Sequence, residues 1–176
     1  VENLGDVPLS AVQVTDNLAA TFAGATSFSS VSAASGDFTV NAGYNGAGDT
    51  NVLAGTDALA IGGSGTITIN VTVTPGANLG PYNNQATATG TSPGGTPVND
   101  VSDDGTNPDP DGDGNANEPG ENDPTPVTFG ESPVIGIAKS VTSTVNNGNG
   151  TYTVSYSLFV ENLGDVPLSA VQVTDN

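Results

Sequence analysis

Within the stretch NPDPDGDGNANE, Asn107, Asp109 and Asp111 stand at alternate positions, Gly112 follows, and Glu118 comes six residues after that glycine. This is the spacing of a calcium loop: oxygen ligands at positions one, three and five, a glycine for the sharp turn at six, and a carboxylate at twelve. Asn replaces the usual Asp at position one, and no helical pattern flanks the loop, so an EF-hand domain is not expected. Between Asp100 and Asp123 there are nine carboxylates and no base, a density that needs water or cations to screen it. Asp100, Asp103, Asp104, Asp113, Glu121 and Asp123 are available for a second or third site. The expected cofactor is Ca2+; Mg2+ demands stricter geometry and keeps its waters. The competing reading is a solvated acidic spacer that holds domains apart by repulsion.

A second constellation centres on Lys139, the only basic residue in a chain of formal charge -18. In IGIAKSV it shares the parity of Ile135, Ile137 and Val141, so a strand would turn it toward a core. The same parity places Asp16 with Val12 and Val14, Asp175 with Val171 and Val173, and Asn84 with Ala86 and Ala88. A lone buried lysine is expensive. Three outcomes are open: a buried Lys139–Asp175 ion pair, an outward solvated lysine, or a self-formed isopeptide bond. In the last, a neutral lysine amine attacks the carboxamide of Asn84 while Asp16 or Asp175 shuttles protons, a chemistry that resembles that of pilin and adhesin domains. Asn83 is a second candidate, which parity disfavours.

The elements that would position these groups follow from one feature: VENLGDVPLSAVQVTDN occurs twice, at Val1–Asn17 and at Val160–Asn176, without a substitution and at an offset of 159 residues. The expected organisation is a tandem array of domain-sized repeats, with the chain crossing from one repeat into the next. Apolar and polar residues alternate in VIGIAKSVT, TYTVSYSLF, GTITINVTVT and NNQATATG, with shorter candidates at 38–41, 97–101 and 126–129. Each run has one apolar face, as a two-layer antiparallel assembly requires. No stretch reads as a helix of any length. The expected division is 1–90 as the later strands of one repeat, 91–131 as an acidic calcium-binding junction or long loop with a last short strand at 126–129, and 132–176 as the first strands of the next repeat.

GTYTVSYSLFVENLGDVPLSAVQVTDN, with GSGTITINVTVTP and NNQATATG after a variable middle, resembles the bacterial conserved-repeat family catalogued as domain of unknown function eleven. Asn162, Gly164, Leu168, Val171, Val173 and Asp175 fill its first motif; Asn84 and Ala86 begin its second, where Ala88 stands in place of a closing valine. The resemblance implies an all-β, immunoglobulin-like antiparallel β-sandwich in tandem repeats of large surface or secreted proteins, and no enzymatic activity.

The charge disfavours nucleic acid and anionic membrane surfaces as partners. No segment is long and apolar enough to insert directly into a membrane. Cysteine is absent, which excludes disulfides and thiolate metal sites, and so is histidine, which leaves catalytic constellations hard to assemble. The expected role is a structural repeat of a calcium-stiffened extracellular filament, stalk or adhesin, on the cell surface or secreted. Its partners would be neighbouring copies of the repeat, in the same chain or by strand donation between chains. The alternative is a module that binds a glycan or protein through the variable middle, 18–60, whose candidate aromatics are Phe22, Phe28, Phe38 and Tyr44.

Overall fold

Strand Ile67–Thr74 keeps the alternation of its sequence: Ile67, Ile69, Val71 and Val73 are half-buried against a core while the threonines and Asn70 face out, and Pro75 ends the run. The computed structural model describes Val1–Asp175. Its contacts divide the chain into Val1–Phe129 and a second unit from Gly130 onward. The protein is almost entirely β, and every strand pairing is antiparallel.

The first unit contains β1 (Leu9–Asp16), a four-residue helix α1 (Leu18–Thr21), β2 (Ser27–Ser35), β3 (Asp57–Leu59), β4 (Ile67–Thr74), β5 (Tyr82–Asn84), β6 (Ala86–Thr91), β7 (Pro97–Val101) and β8 (Thr125–Val127). One sheet has the order β3-β1-β6-β7, and β2 pairs with β4 and β5 with β8. The core is built from Val12, Val14, Leu18, Leu53, Leu59 and Tyr82 among others, with the inner side chains of β2 and β4 packed against it. Bulges interrupt β1 and β2, and both contain a non-glycine residue at positive φ, Ala11 at 52° and Ser30 at 52°.

β7 extends the β6 edge and β8 returns to pair Tyr82 with Val127, so the acidic stretch is a long loop belonging to the first unit through Phe129. The last strand runs over Thr125–Val127, a residue earlier than expected at its start. The variable middle is also structured. It holds α1, capped by the Asn17 side chain accepting from the Ala20 N–H at 3.0 Å, and the unanticipated β2 and β3.

The second unit is a long hairpin, β9 (Ile135–Asn146) and β10 (Tyr152–Asn162), followed by the second copy of the 17-residue segment. The two copies separate local from tertiary encoding. Asn3 Nδ2 donates to the Val7 carbonyl at 2.9 Å, and Asn162 Nδ2 donates to that of Val166 at 2.8 Å. Ala170 repeats the positive φ of Ala11, at 53°. Beyond these local features the copies diverge. Leu9–Asp16 is a strand with Val12 2% and Val14 7% exposed, whereas Val171 and Val173 lie outside any strand at 50% and 38%. Only the first copy has β3 and β6 beside it.

In the first unit the Asn3 amide also holds the carbonyls of Leu59 (3.2 Å) and Ala60 (3.1 Å). Asn3→Ala would leave these groups unpaired and is expected to lower stability by about 1–3 kcal/mol, read as a shift in denaturant midpoint.

Candidate functional site: an acidic loop and a buried Asp–Asn pair

The acidic loop curls through side-chain to backbone hydrogen bonds. Asn107 Oδ1 accepts the Asp109 N–H (3.2 Å), Asp109 accepts those of Gly112 (2.8 Å), Asp113 (3.2 Å) and Gly114 (2.9 Å), and Asp111 also accepts that of Asp113 (3.1 Å). Gly112 and Gly114 adopt φ of 77° and 88°, left-handed turns that glycine supplies without strain.

Two groups of carboxylates converge: Asp109, Asp111 and Glu121, and Asp111, Asp113 and Glu118, with candidate ligand oxygens within 4.8 Å of one another in each. The first is the better built. Glu121 is 5% exposed, and neither of its carboxylate oxygens has a hydrogen-bond partner. Burial pushes its carboxyl above the usual range; the Asp111 backbone N–H acts against this, and the nearby charges of Asp111, Asp109 and Glu118 add to the rise. Glu118, at position twelve of the loop, joins Asp111 and Asp113 and is not grouped with Asp109. Among the described residues Asp103, Asp104 and Asp123 join neither group; Asp103 accepts the Asp123 N–H at 3.1 Å. Asn107 orients the loop backbone. The donors are all hard carboxylate oxygens, the ligand type taken by hard divalent cations.

The second constellation is split between the two units. In the first, Asp16 is 4% exposed; its Oδ2 accepts from Asn84 Nδ2 at 3.0 Å, and its Oδ1 is buried without a partner. Asn84 Oδ1 accepts from the Thr21 hydroxyl at 2.5 Å, a contact with no signal in the sequence. Burial raises the Asp16 pKa against the lowering effect of that Asn84 bond. Tyr44, whose buried hydroxyl is also unpartnered, is raised by burial and by the Asp16 charge. In the second unit Lys139 Nζ donates to both carboxylate oxygens of Asp175, at 2.7 and 2.6 Å, and sits 4.4 Å from the centre of the Tyr156 ring. Asp175 is the repeat equivalent of Asp16. Lys139 and Asp175 are both partly solvated here, so the pair is not buried in this unit. Asn83 faces outward on β5, while Asn84 is half-buried beside Asp16.

Comparison with protein-family models, with curated proteins and with solved structures finds no match. Phe22, Phe38 and Tyr44 are buried and Phe28 is half-buried against the core, so these aromatics do not form an exposed sugar platform.

Proposed function

We propose that the chain is a structural repeat module of a calcium-stiffened extracellular filament, stalk or adhesin, built as immunoglobulin-like β-sandwiches in tandem and similar to the conserved-repeat family named above. The observation that carries this reading is Glu121: a buried carboxylate with no partner, facing Asp109 and Asp111, is costly unless a cation neutralises it. The loop that holds it joins β7 to β8, so a bound ion ties a long, nearly coreless segment to the first unit. The two identical 17-residue segments suit a fibre, which needs many equal units. Nothing in the reading calls for catalysis.

A thermal melt of the 176-residue chain with calcium and with chelator tests the ion. At free calcium near 100 times the dissociation constant, linkage gives about 2.7 kcal/mol of added stability, which raises Tm by roughly 10 °C in a unit of this size. An unchanged melt rejects the calcium site. Electron microscopy of the native protein should show straight filaments that soften on chelation; rods indifferent to chelator reject the stiffening.

A further inference from the structure

The first unit ends a sheet where the chain itself points to more. Val1 and Gly65 exchange backbone hydrogen bonds (2.9 Å for Gly65 N–H to Val1 O, 3.0 Å for the reverse), Glu2 bridges Ser64, and the Asn3 N–H reaches the Gly63 carbonyl at 2.9 Å. Val1–Asn3 therefore runs antiparallel to the approach to β4. Val160–Asn162, the same three residues, are the last of β10. Carrying the Val1–Gly65 register back along β10 sets Leu158 opposite Ile67, Tyr156 opposite Ile69, Val154 opposite Val71 and Tyr152 opposite Val73.

Three independent features of the two strands fit that register. The four residues of β4 are its core-facing ones, and their β10 counterparts are apolar or aromatic and exposed. The backbone parity also agrees. Thr66 spends its N–H on Asp37 (2.9 Å) and its carbonyl on Ser35 (2.6 Å), on the β2 side. Strand geometry then turns Ile67, Ile69, Val71 and Val73 to the opposite edge. On β10, the Leu163 N–H to Val134 O and Asn147 N–H to Thr151 O bonds assign odd residues to β9, so Tyr152, Val154, Tyr156 and Leu158 present their N–H and C=O to the outer edge. Finally, the bulge in each existing pair lies on the other strand: β2 carries the extra residue opposite β4, and β9 the one opposite β10. Both free edges are regular along the whole match.

From this we infer that the β9–β10 hairpin of a second copy of the chain docks on the free edge of β4, and that its trailing segment 160–175 then displaces Val1–Asp16. The inference rests on the filament reading and gives it a joining mechanism. The hairpin is a toehold. Exchange of one 17-residue copy for an identical one is nearly neutral in energy, and the hairpin contacts are added to it. The contact is heterologous, the same donor face meeting the same acceptor edge in every copy, so it propagates head to tail.

Exchange has a chemical consequence. Asp175 takes the place of Asp16 and arrives already paired with Lys139, beside Asn84 held by the Thr21 hydroxyl. Leu158 pairs with Lys139 in the hairpin, so the lysine faces the same interior as Ile67. The lysine ammonium yields a proton through Asp175, its amine attacks Asn84 Cγ, and the carbon to Nδ2 bond breaks. One amide C–N bond forms as another is lost, and ammonium leaves with the proton the lysine brought. No oxidant or cofactor is needed.

The test is size-exclusion chromatography with light scattering on the 176-residue chain across a concentration series, in calcium and moderate salt to screen its charge, followed by denaturing mass spectrometry. Expected are head-to-tail oligomers that survive denaturant, each junction lighter by about 17 Da for the ammonia lost, with a branched peptide joining Lys139 to Asn84. Lys139→Arg should keep the oligomers but let denaturant dissociate them. Asp175→Asn should abolish the bond while Asp16→Asn leaves it. A chain that stays monomeric at every concentration overturns the exchange, and if it still binds calcium the filament reading's ion site survives that failure. A monomer lighter by the same mass overturns joining between copies. Wild-type oligomers of unaltered mass overturn the amide, and a bond that follows Asp16 in place of Asp175 overturns the displacement.

Discussion

Glu121→Gln is expected to stabilise the calcium-free protein and destabilise the calcium-loaded one. Without an ion, the native fold holds a carboxylate that is buried, unpartnered and surrounded by Asp109, Asp111 and Glu118; the amide removes the charge at nearly the same volume. With an ion, that charge is the ligand least able to be replaced by water, and its loss should weaken calcium by at least about 10- to 100-fold, the range that lesser perturbations of metal sites already reach. Calorimetric titration and paired melts in calcium and chelator read both signs. An apo melt below wild type, or unchanged calcium affinity, contradicts the site as drawn. Acid should mimic the substitution. The folded pKa of Glu121 is raised, so the native state holds more protons than the unfolded state between the two values, and apo stability falls as pH rises through that window. Asp16 and Asp100, also raised by burial, act in the same direction. In calcium the dependence should reverse, because protons compete with the metal for the same oxygens.

The strands most legible in the sequence are those in which apolar and polar residues alternate with a strong contrast. ITINVTVT and YTVSYSLF alternate cleanly because neither carries a bulge. SFSSVSAAS escaped notice since serine and alanine mark a face weakly, and the bulge at Ser30 shifts the parity midway. The loop spacing from Asn107 to Glu118 pointed to the acidic loop, but not to which of its carboxylates converge. Glu121 meets Asp109 only because the chain turns back at Gly120 toward β8, a tertiary fact that spacing within a loop does not contain. The parity of Asp16 and Asn84 was readable and brought them together, whereas Thr21 lies on a helix too short to leave a pattern.

The duplicated segment shows why half of this fold is invisible locally. The positive φ of the alanine and the asparagine hydrogen bond recur in both copies, yet only one becomes a buried strand. A strand is stabilised by what lies beside it, and the second copy lacks β3 and β6.

That dependence makes a rearranged chain, with Ser132–Phe159 placed directly before Val1 and ending at Glu131, the largest expected gain in stability. The hairpin then leads into Val1 by the same bond that joins Phe159 to Val160, so the register opposite β4 is reached without exchange. Ile137, Val141, Tyr156 and Leu158, all exposed in the second unit, would be covered along with the half-buried inner face of β4. Full burial of such side chains contributes about 1.5–3 kcal/mol each as an upper bound. The hairpin is already paired along its length, so much of its ordering cost is met. A net gain of about 5 kcal/mol or more should raise Tm by at least about 10 °C over the native chain measured as a monomer. Asp16 would meet Lys139 from the same chain, its unpartnered oxygen would be satisfied, and the charge that burial now disfavours would be favoured. The rearranged chain should be monomeric, keep calcium binding, and lose about 17 Da through the Lys139–Asn84 bond. A melt no higher than that of the native chain would mean that β10 does not continue β4, whatever the parity of the two strands.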